Sequence, residues 1–327
     1  MEINKRFQIF SWINVAYNFL VILWGAYVRA SGSGAGCGAH WPLCNGEVIP
    51  QSLRITTLIE FIHRLMSGLS VILIVVLLLW AWRAYPKKHP VRTGAVLSMV
   101  FILTEALVGA GLVLFRWVGL DASIGRTISV AVHLVNTFML LASLALTAWW
   151  ASGGKSVRLA GQGVWLAGFS LALLGVLILG VTGSINALGD TLFPATSLSS
   201  GIQQDFSSTA HFLLRLRVWH PFMAALVGTY TLLFILFVRA RRGDKVIKRL
   251  SFMLICIVLL QLTAGVVNLL LLAPVWMQLV HLFFAESLWT TLVLLSGSVL
   301  SGEMPVSAAI GQPSQIPTHP NLLGLSK

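Results

Sequence analysis

The chain contains a hydrophobic run that reads LIEFIHRLMSGL at positions 58–69 and continues as SVILIVVLLL at positions 70–79. At about 1.5 Å of rise per residue, a helix of this length crosses a bilayer. Glu60, His63 and Arg64 lie at i, i+3 and i+4, and therefore share one face of that helix. Ionisable groups within a membrane cost roughly 2–4 kcal/mol each and usually face a protein interior where something binds. The run therefore predicts a membrane helix that carries a binding site.

The whole chain has the composition of a polytopic membrane protein, because 57% of its 327 residues are hydrophobic and only 10% are charged. These values exclude a soluble globular domain of ordinary composition. We predict an all-α fold with eight membrane-spanning helices. The predicted spans are Ile9–Val28, Leu58–Trp82, Gly94–Leu114, Ile128–Trp149, Gly163–Val181, Leu213–Phe237, Leu250–Leu272 and Met277–Val299.

The net charge of +12 comes from basic residues that gather in alternate loops and do not form one stripe, so we expect no nucleic-acid partner. Alternate segments, starting with the one before the first span, hold 15 of the 22 Lys and Arg residues. Because basic residues concentrate on the cytoplasmic side, we predict a multi-pass protein of the cell membrane with both termini cytoplasmic. No cleavable signal peptide is needed. The polar residues 303–327 are expected to form a disordered cytoplasmic tail.

The loop after the first span is rich in Gly and Ser and carries Cys37 and Cys44 on the predicted outer side. A flexible loop in an oxidising compartment can bring two sulfurs together, so a disulfide is the favoured interpretation. A reactive dithiol pair and a metal site with His40 remain as alternatives, although a metal site would require more ligands than this loop supplies. Cys256 lies within the seventh span and is expected to be a small buried apolar residue.

Four histidines fall within the even-numbered spans, each a few residues from its predicted outer end, so we expect them at similar depth. A single intramembrane histidine is more often a hydrogen-bonded core residue than a ligand. Four at one level favour a ligand role, and two imidazoles from separate helices form a natural axial pair for haem iron. A zinc or copper site would more often recruit nearby carboxylates or thiols. The predicted iron ligands are His63, His133, His220 and His281.

The second half of the chain resembles the first. HLVNTFML at positions 133–140 is similar to HLFFAESL at positions 281–288, and the preceding odd spans also match. We therefore predict two pseudo-symmetric four-helix bundles that arose by tandem duplication, covering residues 1–150 and 151–302.

The two halves differ in the charges near their first histidine. Only the first half has a carboxylate, Glu60, three residues before its histidine, so we predict a reactive first half and a second half that holds a cofactor. An ion pair with Arg64 at the membrane interface is the alternative role for Glu60. Glu105 and Glu286 are further intramembrane carboxylates, and each is either a protonated structural hydrogen-bond donor or a member of a proton relay.

Two arginines precede the first histidine of the second half. Arg215 and Arg217 lie at the predicted outer mouth beside His220 and are candidates for binding haem propionates, as Arg64 is in the first half. Snorkelling of the guanidinium groups to the membrane interface is the alternative for all three arginines.

Together these residues resemble the haem A synthase family, and the similarity covers nearly the whole membrane region. No single motif is specific, but their combination is. The motifs are EFIHR at 60–64, WPLCNG at 41–46, LGDTLFP at 188–194, LRVWHP at 216–221 and HLFFA at 281–285.

The resemblance implies an enzyme that oxidises the C8 methyl group of haem O to a formyl group, giving haem A for cytochrome oxidase. It implies two successive hydroxylations through a gem-diol that loses water, with electrons leaving to an acceptor. By matching motif, Glu60 would be the catalytic carboxylate and Cys37 with Cys44 the outer disulfide pair. His63 and His133 would face the substrate haem. His220 and His281 would ligate a resident haem b.

Two departures from the family pattern stand out. Glu105 occupies a position where family members often have Gln, and Pro221 follows His220 where the first half has a His-Arg pair.

The implied partners are haem O, haem O synthase as a candidate, and an electron acceptor that the sequence does not identify; a homo-oligomer is left open. The competing function is a dihaem b-type electron-transfer cytochrome without chemistry of its own. A haem-free assembly or transport protein is a third.

Overall fold

The computed structural model describes residues 4–51 and 54–301, and the regular secondary structure of these ranges is helical. A short 3-10 turn, Ser33–Ala35, lies in the cysteine loop. The α-helices are α1 Lys5–Ala30, α2 Ile55–Ala84, α3 Pro90–Leu114, α4 Ile124–Ala151, α5 Gly163–Leu192, α6 Leu198–Phe206, α7 Phe212–Arg217, α8 Trp219–Arg241, α9 Lys245–Leu270 and α10 Val275–Leu300. The predicted tail, residues 303–327, lies outside the described residues.

Eight helical segments of the described residues are long and apolar enough to cross a bilayer, with α7 and α8 together forming the sixth. The prediction of an all-α polytopic membrane protein is confirmed. Helix starts follow ordinary capping chemistry. Ser123 accepts a hydrogen bond from the backbone N–H of Arg126 at the start of α4, and α3 begins with Pro90, whose missing N–H costs nothing there.

The sixth span is not one continuous helix, as was predicted for Leu213–Phe237. The α-helix stops at Arg217 and restarts at Trp219. Pro221 accounts for the break, because a proline ring clashes with the carbonyl of the residue four positions earlier, which is Arg217. As a result, His220 lies in the first turn of α8.

The fifth span extends well beyond its predicted end at Val181. The Gly, Asn, Asp and Pro content of residues 180–194 is typical of turns, but α5 continues to Leu192. Tertiary contacts override the weak helix propensity of glycine here. The guanidinium of Arg29 on α1 donates to the carbonyl of Ala187 at 2.6 Å and to Oγ1 of Thr191 at 2.9 Å.

The eight membrane-spanning segments are arranged by their contacts in two closed sets, each called a ring of helices. In the first, α1 packs on α2 and α4, and α3 packs on α2 and α4; in the second, α5 packs on α8 and α10, and α9 packs on α8 and α10. The rings meet through α1, α4, α5 and α10. At this junction the indole N–H of Trp289 donates to the carbonyl of Phe138 at 2.6 Å, and the two rings stack. This pattern of helix contacts is the one expected for two bundles. The pair of bundles, their division at residue 151 and their origin in a tandem repeat stay predictions.

Candidate functional site

The second ring of helices brings two of the predicted histidines close together. The imidazole centroids of His220 on α8 and His281 on α10 are 6.4 Å apart, with ring planes at 89°. Bonds from a metal to imidazole nitrogen are about 2 Å long, so two rings on one metal ion have centroids roughly 6 Å apart. Both side chains are half-buried. This spacing fits a single metal ion held between the two rings.

Each imidazole of this pair has one polar neighbour. Nδ1 of His220 lies 3.1 Å from Oγ1 of Thr182, and Nε2 of His281 lies 3.3 Å from Nε2 of Gln261. Nδ1 of His281 is buried without a hydrogen-bond partner. Because an unpaired buried polar atom is costly, this nitrogen marks a place where a bound group would restore the missing interaction.

Glycines back three of the four histidines. A Cβ added to Gly183 would lie 2.9 Å from Cε1 of His220, and one added to Gly265 would lie 3.1 Å from Cε1 of His281. In the first half, a Cβ added to Gly25 would lie 2.9 Å from Cε1 of His63. Each imidazole therefore packs directly on the backbone of a neighbouring helix, which only glycine permits. We did not predict these glycines; the signal for them was their recurrence in both halves.

The histidines of the first half have a different polar setting. Nδ1 of His63 is buried without a hydrogen-bond partner. Nδ1 of His133 faces Oε1 of Glu105 at 3.4 Å. The common depth of all four histidines stays a prediction.

Glu60 and Arg64 bind the cysteine loop to α2. Glu60 is 3% exposed, and its Oε2 accepts a hydrogen bond from the backbone N–H of Cys37 at 2.8 Å. Its Oε1 forms an ion pair with Arg64 at 2.5 Å. The Arg64 guanidinium also donates to the carbonyls of His40 and Leu43, both at 2.6 Å. The ion pair considered as an alternative role for Glu60 is thus present, and it sits directly beneath the loop.

The disulfide prediction is confirmed, because Cys37 and Cys44 are bonded to each other. Cys256 is a free, half-buried thiol. Among the residues that the structure describes, no three His, Cys, Asp or Glu side chains converge as a metal cluster. Paired imidazoles without further side-chain ligands suit a metal that brings most of its own ligands, as haem iron does.

The arginines proposed for propionates are already engaged in this structure. Arg217 forms ion pairs with Asp190 at 2.9 Å and Asp205 at 2.5 Å. Arg215 is exposed and donates to the carbonyl of Ser208. Neither contact tests propionate binding, which stays a prediction for both. Glu286 is fully buried on α10, and both of its carboxylate oxygens lack a hydrogen-bond partner.

The fold and site define a polytopic helical membrane protein with intramembrane histidines, two of which, His220 and His281, lie close together. Residues 8–56 and 53–293 match the COX15-CtaA family model, whose description is cytochrome oxidase assembly protein, and the chain belongs to this family.

Several curated relatives are similar to parts of the chain. A protein named protoheme IX farnesyltransferase from Thermus thermophilus is 50% identical over 296 residues, which is 90% of this chain and 49% of the relative. A heme A synthase from Alkalihalophilus pseudofirmus is 42% identical over 112 residues, 34% of this chain and 38% of the relative. A heme A synthase from Bacillus cereus is 46% identical over 96 residues, 29% and 31% of the two chains. The chain spans about half the length of the Thermus relative and a smaller share of the other two.

Proposed function

We propose that this protein is a haem A synthase, which oxidises the C8 methyl group of haem O to a formyl group and so provides haem A for cytochrome oxidase. Membership of the family and the names of the partial relatives support this function. One structural observation carries it furthest. Within the described residues, both halves hold a glycine-backed histidine, and the first half adds the buried carboxylate of Glu60 on the same helix face as His63, whereas the buried Glu286 follows His281 by five residues and so lies on a different face of α10.

The two histidine pairs take different roles in this proposal. His220 and His281 hold a resident haem b, and their spacing and the unpaired Nδ1 of His281 support this assignment. His63 and His133 hold the substrate haem O. Bound haem b would supply a redox centre that passes electrons onward. Each hydroxylation takes its oxygen atom from water and releases two protons and an electron pair, so the reaction also needs an electron acceptor outside this chain.

Glu60 is the residue proposed to take up a proton released as the methyl group is hydroxylated. Its carboxylate is shielded from water and is held by the Cys37 N–H and the Arg64 guanidinium, so its position is fixed before the substrate arrives. Arg64 in turn closes the cysteine loop over this end of α2. A carboxylate with these contacts is positioned for repeated proton transfer at one place.

Topology and partners follow from the same proposal. We place both termini in the cytoplasm and the cysteine loop on the outer side, which the distribution of basic residues supports. The Thermus relative carries the name of an enzyme that farnesylates protohaem IX and is about twice as long as the matched part. A haem O-producing enzyme is therefore a candidate partner that would hand over the substrate.

The competing function is a dihaem electron-transfer cytochrome, which the glycine-backed histidines in both halves would suit equally well. Expression of the chain in membranes supplied with haem O separates the two. Haem A synthase activity predicts that extracted haem carries a formyl group. Unchanged haem O together with two stable low-spin haems would support the carrier, and a colourless protein that cannot be reconstituted with haem would support a haem-free assembly factor.

The glycine behind His220 gives a prediction for the resident haem. Gly183→Ala places a methyl group against the imidazole, and overpacking of this kind costs about 1–3 kcal/mol, so we expect purified protein to retain clearly less haem. Gly109→Ala is the matched control, since an added Cβ there meets nothing within 4 Å. The haem-to-protein ratio from a pyridine haemochrome spectrum measures the effect. Equal ratios in both variants would contradict the assigned role of Gly183.

A further inference from the structure

The group that faces the second histidine differs between the halves. In the first half, Oε1 of Glu105 on α3 lies 3.4 Å from Nδ1 of His133 on α4. In the second half, Nε2 of Gln261 on α9 lies 3.3 Å from Nε2 of His281 on α10. In each case the neighbour comes from the helix that precedes the histidine. The corresponding sequence position thus holds a carboxylate beside Nδ1 of the histidine in one half and a neutral amide beside Nε2 of the histidine in the other.

The carboxylate of Glu105 is held in position by α4. It accepts hydrogen bonds from Nδ2 of Asn136 and from the hydroxyl of Thr137, about one turn beyond His133. Asn136 is itself fixed, because its Nδ2 also donates to the carbonyl of Phe101 at 2.8 Å. The Glu105 side chain is 18% exposed, so water competes little for it. These contacts hold the carboxylate beside the imidazole, at a distance of 3.4 Å from Nδ1 of His133, which makes no hydrogen bond in this structure.

A carboxylate beside the non-ligating nitrogen of a metal-binding imidazole has two known effects. It fixes the orientation and tautomer of the ring, and it increases the electron-donating strength of the ligand. Ligand basicity and nearby charge are among the means by which proteins set the reduction potential of haem iron. An amide at the same place can orient the ring but adds no net charge.

We propose that Glu105 is a positioning residue that strengthens His133 as an iron ligand. The haem in the first half is then held more tightly, and has a lower reduction potential, than the haem in the second half, where the amide of Gln261 lies beside His281. The inference rests on the proposed function, since it takes His133 to hold the substrate haem. It assigns a role to a charge difference between two corresponding helix pairs. The substrate haem would then yield electrons more readily than the resident haem.

Glu105→Gln tests the proposal because it installs the second-half side chain with little change of shape. Full-length protein is titrated with haem b as the probe, and the reduction potential of each bound haem is measured spectroelectrochemically. Loss of such a supporting partner typically weakens metal binding roughly 10- to 100-fold. We expect a loss of that size for the first-half haem, together with a rise in its potential. The signal of the second-half haem is identified as the one that is lost in His220→Ala. The affinity and reduction potential of that haem should not change in Glu105→Gln.

Two variants serve as controls. Thr104→Val removes the hydroxyl that contacts Oδ1 of Asn136 and leaves the Glu105 carboxylate in place, so it should leave the potential unchanged. Gln261→Glu should lower the potential of the second-half haem. A merely structural role for Glu105 would alter stability in Glu105→Gln without shifting the potential of one haem.

The outcomes separate this inference from the proposed function. Two bound haems whose affinities and potentials are unaffected by Glu105→Gln would overturn the role of Glu105 and leave the function standing. Equal changes at both haems would also overturn it, since they indicate a general disturbance of the fold. Wild-type protein that takes up one haem, with His133→Ala causing no loss, would overturn the substrate assignment of His133 and this inference with it.

Discussion

Replacing Glu60 with glutamine is expected to lower the rate of haem A formation by roughly 10²- to 10⁴-fold, the usual contribution of a general acid–base residue. Glutamine has nearly the same shape and can still accept the hydrogen bond from the Cys37 N–H, so the cysteine loop should stay in place. It cannot take up a proton from the substrate. Haem content should remain at the wild-type level. Formation of haem A in membranes supplied with haem O measures the rate.

Glu47→Gln is the matched control for this prediction. Glu47 lies in the same loop, where its carboxylate accepts a hydrogen bond from the backbone N–H of Gln51, and it has no part in the proposed chemistry. The Glu47→Gln protein should form haem A at a rate near that of the wild type. If Glu60→Gln also keeps the wild-type rate and only Glu60→Ala fails, Glu60 is an anchor of the loop and not a proton acceptor.

Replacing Arg64 with alanine is expected to destabilise the protein by about 3–5 kcal/mol, because it leaves a buried carboxylate without its partner. The ion pair to Glu60 and two hydrogen bonds to the loop carbonyls of His40 and Leu43 are lost together. We expect a lower midpoint of thermal unfolding in detergent and faster proteolytic cleavage of the cysteine loop.

Two further variants serve as controls for Arg64→Ala. Lys88→Ala removes an exposed positive charge from the loop between α2 and α3, beyond the opposite end of α2 from Arg64, and should change neither measurement. Arg64→Ala with Glu60→Gln should recover part of the lost stability, since no carboxylate remains unpaired. Wild-type stability of Arg64→Ala alone would show that the ion pair and the loop contacts contribute little.

Much of the fold could be predicted from sequence because hydrophobic length alone determines a membrane span. The exceptions have local causes. The break before His220 was missed, although Pro221 three residues into α8 gives a sufficient reason for it. The extension of α5 to Leu192 could not be predicted from composition, because Gly180 and Gly183 are turn formers in isolation and close-packing positions here.

The candidate site residues can be selected from the sequence, and their assignment stays a prediction, whereas their contacts cannot be selected in this way. The histidines and Glu60 stand out in sequence, because ionisable groups in apolar segments are rare. Their partners do not. Arg217 is a candidate for binding a propionate, which stays a prediction. Its ion-pair partners Asp190 and Asp205 come from α5 and α6 and could be recognised only after folding. The contact of Glu105 with His133 likewise depends on how α3 packs against α4.

The assignment of a resident haem to His220 and His281 is tested most directly by the haem content of three purified proteins: wild type, His63→Ala and His220→Ala. Pyridine haemochrome spectra give the amount and type of haem per chain. We predict that His63→Ala retains haem b at the wild-type level and forms no haem A, whereas His220→Ala loses the resident haem. Wild-type haem b content in His220→Ala would contradict the assignment.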